Sequence, residues 1–269
     1  MIVEELPDLG ITRISRWIFN CYVIHDGGSG RPVVVDAGLP TLAERALRLV
    51  ADRGLGDVAS VVATHAHSDH VAGAATISSA TGASVHLPER AMAYLGGETP
   101  RTPGPREIAK FWPVYLDQPR DFGALRELNE VGPVAGYGRG PMVMPLMPGA
   151  PLLDGTALPG APDWEVSVTS GHTDDSIVFR RASTNTMLSG DTVLSADARP
   201  WFNPEFVDAV ASADTEARLR EIEVDHLLPG HGRPVLGSDV LRSARSHREV
   251  GRGDARGSAR RWARWLADR

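Results

Sequence analysis

The chain has 269 residues, a formal net charge of −6, 42% hydrophobic residues and 23% charged residues. This composition is typical of globular proteins and excludes the disordered and fibrous classes. The length fits one large domain or two small ones. No apolar run approaches the roughly 20 residues that a membrane helix needs. The acidic net charge argues against a nucleic-acid-binding protein.

The cellular location follows from the N-terminal segment and from cysteine usage. Residues 1–15 contain acidic side chains and lack the apolar stretch of a secretory signal. Cys21 is the single cysteine, which excludes a disulfide framework and a cysteine metal cluster. We therefore expect a cytoplasmic protein.

Strands and helices alternate through the first third of the chain. Apolar runs bounded by turn residues indicate strands, and apolar residues at helical spacing indicate helices. The predicted strands cover 19–24, 32–36, 58–64 and 84–87, and the predicted helices cover 42–53 and 71–80. This alternation predicts a layered α/β fold.

The regular alternation stops between Pro88 and Pro148, a segment that we call the insert. It is rich in Pro and Gly, carries an aromatic cluster of Phe111, Trp112 and Tyr115, and ends in Met142, Met144 and Met147. Short helices are predicted around 105–117 and 121–130. Alternation then returns, with predicted strands at 165–169, 176–181, 186–188 and 225–228 and a helix near 205–222.

The C-terminal segment has a different charge from the rest of the chain. We predict one domain over 1–236, insert included, followed by a basic tail over 237–269. From Arg242 onward nine arginines face three acidic residues, a local charge of +6 against −12 for the remainder. The spacing of these arginines predicts a helix with one basic face: Arg242, Arg245, Arg248, Arg252, Arg256 and Arg260. Such a face more often packs on an acidic surface of the same or a neighbouring subunit than on nucleic acid.

The motif that carries chemistry is THAHSDH at 64–70, directly after a predicted buried strand. His65 and His67 are two residues apart, so in an extended segment their side chains point the same way. Asp69 and His70 then begin the next helix. Neutral imidazoles together with a carboxylate suit zinc or another borderline divalent ion. The motif therefore predicts a metal site at a strand-to-helix turn.

This motif resembles the H-x-H-x-D-H signature of the metallo-β-lactamase superfamily. Other elements of that family follow in the same order: VVVDAG at 33–38, SGHT at 170–173, SGDT at 189–192 and PGHG at 229–232. The resemblance covers residues 20 to 235. It implies an αββα sandwich with the metals at one edge between two sheets, here with the helical, Pro/Gly-rich insert and a C-terminal helix.

The resemblance also implies a set of metal ligands and a cofactor. The ligands are His65, His67 and His172 for one metal, Asp69, His70 and His231 for the other, and Asp191 as a bridge. Asp69 and Asp191 are thus the candidate catalytic carboxylates. The implied cofactor is two divalent ions, zinc first, with iron or manganese as alternatives. Asp36 is expected to orient a ligand histidine rather than to touch metal.

The implied chemistry is hydrolysis. A hydroxide held between two cations, where the pKa of water falls from 15.7 to roughly 7, would attack a carbonyl or phosphorus without a serine or cysteine nucleophile. The first hypothesis is a binuclear hydrolase of a small carbonyl ester, thioester or lactone. The first alternative is a phosphodiesterase or endoribonuclease, which only the basic tail supports. The second is a mononuclear iron oxidoreductase of the persulfide dioxygenase type.

Two further resemblances bear on these alternatives. The GHTDD and PGHG segments are similar to those of the β-lactamase-like group that includes endoribonucleases and polyketide thioesterases. Glyoxalase II and the persulfide dioxygenases typically continue the Gly-Asp element into a Gly-Cys-Gly-Arg segment, whereas this chain continues as TVLSADARPWF after Asp191. This departure weakens the iron oxidoreductase hypothesis.

The insert has two interpretations. It is either extra core or a contact between the subunits of a homodimer, or a lid whose apolar face closes over substrate and excludes water. Methionines suit a surface that adapts to varied ligands, and this favours the lid. The expected partner is then an apolar small-molecule substrate, with neither nucleic acid nor membrane.

Overall fold

The computed structural model describes residues 1–138 and 140–249. Its strands are β1 (Ile2–Leu6), β2 (Ile11–Arg16), β3 (Phe19–Ile24), β4 (Val33–Val35), β5 (Ser60–Val62), β6 (Ser84–His86), β7 (Ala157–Leu158), β8 (Ala161–Val168), β9 (Ile177–Arg181), β10 (Thr186–Gly190), β11 (Val193–Ala196), β12 (Arg199–Phe202), β13 (His226–Pro229) and β14 (Val235–Leu236). Its α-helices are α1 (Pro40–Asp52), α2 (Ser68–Val71), α3 (Ala74–Thr81), α4 (Glu89–Leu95), α5 (Pro105–Ile108), α6 (Trp112–Asp117), α7 (Phe122–Val131) and α8 (Ala209–Arg220).

The strands form two six-stranded sheets, ordered β1-β2-β3-β4-β5-β6 and β14-β13-β10-β9-β8-β7, and β11 pairs with β12 in a separate hairpin. Apolar side chains of both sheets share one buried cluster, in which Ile24 and Val35 of the first sheet join Phe179 and Leu188 of the second. The two sheets therefore pack face to face, and their facing side chains form the central core.

Helices cover the outer faces of both sheets. The apolar stripe of α1, which includes Leu42 and Ala46, is buried in a cluster with Val34 of the first sheet. Leu219 of α8 is buried with Met187 of the second sheet. The layers are thus helix, sheet, sheet and helix, and the predicted αββα sandwich is confirmed.

Parallel strand pairs fix the place of the site. In the first sheet β5 lies parallel to β4 and β6, and in the second β10 lies parallel to β13. Hydrogen bonds join the two sheets where these strands end: the Ile177 amide donates to the Thr64 carbonyl at 2.9 Å, and the Asn20 amide donates to the Gly230 carbonyl at 3.2 Å. The loops that leave β5, β10 and β13 therefore meet at one edge of the sandwich.

Some elements differ from the sequence prediction. The helix predicted over 71–80 is split into α2 and α3 at Gly73, whose amide donates to the Ala37 carbonyl at 2.7 Å. A Cβ at Gly73 would lie 2.5 Å from the Leu39 carbonyl oxygen. Only glycine therefore fits between α2 and α3, where the chain passes close to the Leu39 backbone. Strands β1, β2, β7, β11, β12 and β14 and helix α4 were not predicted, whereas helices α5, α6 and α7 of the insert were.

The basic tail can be compared with the prediction only as far as Glu249. Arg242, Arg245 and Arg248 lie in turns and bridges rather than in a helix. The Arg245 guanidinium stacks on Trp201 at 4.2 Å, and the Arg245 amide donates to the Pro200 carbonyl at 2.9 Å. This segment therefore runs alongside β12 and does not form a helix. The rest of the predicted basic helix lies outside the described residues. Among the described helices, none is long and apolar enough to cross a membrane.

Candidate metal centre

The loop after β5 presents the histidine motif, and Asp36 holds this loop in place. The Asp36 carboxylate accepts hydrogen bonds from the Thr64 amide and the Thr64 hydroxyl, both at 2.8 Å. Its Oδ2 also lies 3.0 Å from Nδ1 of His70. As predicted, Asp36 lies behind a histidine of the motif and orients its ring, with Nε2 directed away from Asp36.

The structure brings all seven predicted ligand residues to this edge of the sandwich. They form three groups whose ligand atoms lie within 4.8 Å of one another: His65, His67 and His172; His65, His70 and Asp191; and Asp69, His70 and His231. The first and third groups have the same members as the two predicted metal sites. Asp191 shares its group with one histidine from each site, which is the placement that a bridging ligand requires.

Asp191 lies at the centre of the cluster because it follows directly on β10. Its Oδ1 is 3.4 Å from Nε2 of His70, and its Oδ2 is 3.5 Å from Nε2 of His172 and 3.3 Å from Nε2 of His231. A Cβ at Gly230 would lie 2.6 Å from Oδ1 of Asp191. Only glycine before His231 therefore lets the two segments approach this closely.

Backbone carbonyls fix the outer nitrogens of two histidines. Nδ1 of His172 lies 2.8 Å from the Glu205 carbonyl oxygen, and Nδ1 of His231 lies 3.0 Å from the Ile18 carbonyl oxygen. A carbonyl oxygen can only accept, so each Nδ1 carries a proton and donates it. In the neutral ring Nε2 then carries the free lone pair that a metal ligand requires.

The charges in the cluster follow from burial and from mutual contact. Burial lowers the pKa of His65 and lowers the pKa of His67 to about 3, with neighbouring imidazoles acting in the same direction. Burial also disfavours charged His70 and His231, but the carboxylates around them together outweigh it. The pKa of His70 is raised, and the pKa of His231 is raised to about 10, with Asp191 first among the carboxylates. His65 and His67 are thus neutral donors, whereas a cation would displace protons from His70 and His231.

The residues fit a divalent cation. Nε2 of His70, Nε2 of His172 and Oδ1 of Asp191 are buried and have no hydrogen-bond partner among the described residues. Unsatisfied buried polar atoms are rare in folded proteins and call for an explanation such as an ion. Imidazole nitrogens and carboxylate oxygens that converge in this way form the donor set that zinc and other borderline divalent ions prefer.

A cavity of about 920 Å³ opens beside the cluster. His67 and Asp69 lie on its floor, and Glu205 lines it as well. The insert supplies most of the remaining wall, including Ile108 and Leu128. The segment between the metal-ligand motifs therefore encloses the space next to the candidate metal centre.

The predicted contact residues of the insert are not those that line this cavity. Phe111 is buried and packs edge-on against the His231 ring at 5.3 Å, and Tyr115 packs edge-on against Phe111 at 5.1 Å. Met144 packs against the core beneath the first sheet, and Met147 is 88% exposed. The aromatic cluster supports a candidate ligand, and the apolar cavity wall consists instead of prolines and aliphatic side chains.

Sequence reasoning missed three residues beside the cluster. Asp175 accepts from the Ala66 amide at 2.8 Å and from the Tyr137 hydroxyl at 2.5 Å. Glu205, in the wall of the cavity, was not singled out, and burial raises the pKa of its carboxyl. The adjacent acids of the GHTDD segment were the one available signal, and nothing in the local sequence marked Tyr137.

Comparison with known proteins defines the class. The model of the metallo-beta-lactamase superfamily matches residues 16–231, and the chain belongs to this superfamily. Membership supports an enzyme, a metallo-hydrolase that uses divalent metal.

Individual relatives are distant. The probable metallo-hydrolase YflN of Bacillus subtilis strain 168 is 24% identical over 255 residues, covering 86% of each chain. The crystal structure of TTHA1623 in a di-iron-bound form matches with a TM-score of 0.54 and 22% identity, covering 83% of this chain and 92% of that one. The metallo-beta-lactamase family protein TTHA1429 from Thermus thermophilus matches with a TM-score of 0.54 and 24% identity, covering 98% of this chain and 79% of that one. At these identities the structural matches show the fold alone.

Proposed function

We propose that the protein is a binuclear metal-dependent hydrolase of small carbonyl esters, thioesters or lactones with an apolar acyl part. The observation that carries this proposal is the juxtaposition of the three ligand groups with the cavity of about 920 Å³. The cavity is lined by the His67 imidazole, by the Asp69 and Glu205 carboxylates and by apolar side chains of the insert. This arrangement suits a substrate with one polarised carbonyl and an apolar body.

The proposed metals are two zinc ions, held by the seven clustered residues. Divalent cations bound there would polarise a carbonyl oxygen and lower the pKa of bound water to about 7. The di-iron-bound form of TTHA1623 keeps iron as an alternative metal for this chain. Metal analysis of the purified protein distinguishes zinc from iron and manganese.

The carboxylates of the cluster have separate proposed roles. Asp191 is 5% exposed and contacts three imidazoles, which belong to both predicted metal sites. Its proposed role is to bridge the two sites and to hold their ligands in position. Asp69 has a side chain that is 22% exposed, lies 3.2 Å from Nε2 of His231 and lines the cavity. Asp69 is therefore the carboxylate placed to accept a proton at Oδ2 from the attacking water.

The wall of the cavity has the proposed task of binding the acyl part and excluding bulk water. Ile108 and Leu128 provide the aliphatic surface, and Pro103, Pro105 and Pro133 hold the surrounding loops in a narrow range of backbone conformations. Exclusion of water strengthens the electrostatic contacts within the site. The same apolar wall disfavours the anionic phosphate of a phosphodiester.

The test is a panel of chromogenic substrates that share one reporter group. The metal-loaded protein is assayed with butyryl and octanoyl esters and thioesters, a lactone, a β-lactam and a bis-aryl phosphodiester, before and after chelation. We expect turnover of the acyl substrates, with octanoyl preferred over butyryl, and loss of turnover with chelator. Turnover of the phosphodiester alone, or metal-dependent oxidation of a persulfide without hydrolysis, would contradict the proposal.

A further inference from the structure

One short segment of the insert pairs directly with the histidine loop. The Tyr137 amide donates to the Ala66 carbonyl at 3.0 Å, and the Ser68 amide donates to the Tyr137 carbonyl at 3.1 Å. These two bonds form a parallel bridge between Tyr137 and His67. The insert is thus hydrogen-bonded through its backbone to both sides of a candidate metal ligand.

The Tyr137 side chain adds two contacts to the same loop. Its ring packs against the His67 ring at 4.7 Å. Its hydroxyl donates to Oδ1 of Asp175 at 2.5 Å, while Oδ2 of Asp175 accepts from the Ala66 amide at 2.8 Å. Ala66 lies between His65 and His67, so the Tyr137–Asp175 pair holds the backbone that sets the directions of both imidazoles.

The residue before Tyr137 has to be glycine for this pairing to form. Gly136 has a φ of 78°, and a Cβ there would lie 2.7 Å from the Ser68 Cα and 2.8 Å from the Ala66 carbonyl oxygen. Gly136, Tyr137 and Gly138 also line the cavity. The same three residues are therefore both cavity wall and support of the histidine loop.

We infer that Tyr137 is a positioning residue that links the substrate cavity to the metal ligands His65 and His67. It acts through Asp175 and the Ala66 amide, and the inference rests on the proposed metal binding by these histidines. The Tyr137 hydroxyl and ring hold the histidine loop in the geometry that binds metal. Their loss therefore weakens metal binding although every ligand residue is still present. Groups that orient metal ligands typically contribute 10–100-fold in metal affinity.

The link is reciprocal. A ligand that fills the cavity against residues 136–138 stabilises the paired loop, and the paired loop binds metal more tightly. By thermodynamic linkage, metal binding then tightens substrate binding by the same factor. Substrate binding by the insert is therefore coupled to metal binding by the histidine loop.

The chain offers a matched control for testing Tyr137. Tyr94 and Tyr137 are each 2% exposed, and their rings pack together at 5.4 Å. The Tyr94 hydroxyl donates to Asp174 at 3.4 Å, whereas Asp174 pairs with Arg101 and makes no contact with the histidine loop among the described residues. Tyr94→Phe therefore removes a buried tyrosine hydroxyl next to Tyr137 without touching the Asp175 link.

The experiment measures zinc affinity by competition with a chromogenic chelator for wild type, Tyr137→Phe, Tyr94→Phe, Asp175→Asn and the Tyr137→Phe/Asp175→Asn double variant. Urea unfolding of each zinc-free protein reports folding separately. We expect Tyr137→Phe to lower zinc affinity at least tenfold and Tyr94→Phe to change it less than twofold. We expect the double variant to lose no more affinity than the larger single loss, because the two residues act as one unit. Saturating zinc should restore kcat in Tyr137→Phe.

The possible failures are distinguishable. Equal zinc affinity in Tyr137→Phe and wild type overturns the positioning role and leaves the proposed hydrolase intact. An affinity loss that matches the stability loss in both tyrosine variants also overturns it, since the effect is then general destabilisation. Zinc binding with the expected variant effects but without acyl hydrolysis overturns the proposed function alone. A wild-type protein that binds no zinc overturns both.

Discussion

Asp191 is the residue on which the binuclear proposal depends most directly, since it contacts histidines of both predicted metal sites. Asp191→Asn keeps the size of the side chain but leaves one acceptor oxygen instead of two. We expect zinc bound per chain, measured by elemental analysis, to fall from two toward one and most activity to be lost. Asp174→Asn, whose carboxylate pairs with Arg101 outside the cluster, is the control. Two zinc ions and full activity in Asp191→Asn would show that Asp191 is not a bridge.

A second buried carboxylate predicts a pH dependence of stability. Glu216 accepts from the Ser246 hydroxyl at 2.9 Å and the His247 amide at 3.1 Å. Burial opposes ionisation of Glu216, but hydrogen bonds from Arg220 and His247 outweigh it and lower the pKa of the carboxyl from its ordinary value of 4.5. The folded-state pKa is depressed, so this contribution is complete above the ordinary pKa and disappears as pH falls through the lowered one.

Glu216→Gln should therefore lower the free energy of unfolding by about 2 kcal/mol at pH 7, the usual size for hydrogen bonds to a charged group. The difference from wild type should begin to shrink below the ordinary pKa of 4.5 and disappear as pH falls through the lowered pKa, since the folded wild-type carboxyl is then neutral, as glutamine is. Urea unfolding across pH measures both. Glu130→Gln, which breaks an exposed ion pair with Arg126, should have little effect at any pH. A pH-independent difference for Glu216→Gln would contradict the argument.

Residues of the candidate site were predictable where they belong to compact motifs. THAHSDH and the three later Gly-containing segments each follow a strand, and parallel strands end at one edge of a sheet, so their side chains meet. Tyr137 was not predictable in this way because its partners Asp175 and Ala66 are distant in sequence, and the Asp175 hydrogen bond depends on how the insert folds back.

At the scale of elements, α7 provides a direct test of the cavity wall. Leu128 lines the cavity, whereas Leu125 on the same helix is 39% exposed and does not. Leu128→Ala should raise KM for octanoyl substrates several-fold more than for butyryl ones, because each methylene buried against this wall contributes about 0.8 kcal/mol. Leu125→Ala should leave both KM values unchanged, and metal content should stay the same in both variants. An equal change in KM for both chain lengths would show that the acyl part does not bind against this wall.

The elements that the sequence did not predict lack a clear local signal. β1 carries Glu4 and Glu5, which pair with Arg13 and Arg53, so polar residues interrupt its apolar pattern. The hairpin of β11 and β12 turns through Asp197 and Ala198, both at positive φ, which neither residue type signals strongly. Helices α5, α6 and α7 of the insert were predictable because apolar residues recur there at helical spacing. Their arrangement around the cavity depends on tertiary contacts and was not predictable.

At the scale of the whole molecule, the candidate ligands join the two halves of the sandwich. The histidine loop follows β5 of the first sheet, whereas Asp191 and His231 follow β10 and β13 of the second. Metal bound between them stabilises only the folded chain. Each zinc ion, at a free concentration a thousand times its Kd, should add about 4 kcal/mol, which is roughly 10 °C in Tm for a protein of this size. Thermal unfolding with and without chelator measures this, and an unchanged Tm would show that no metal joins the sheets.

The proposal of a binuclear zinc hydrolase is tested most directly by titrating the zinc-free protein with zinc and following the hydrolysis of an octanoyl thioester. We expect the rate to rise with added zinc and to stop rising at two equivalents per chain, because the clustered histidines and aspartates are proposed to hold two ions next to the acyl cavity. A rate that does not depend on zinc, or that reaches its plateau at one equivalent, would contradict a binuclear hydrolase.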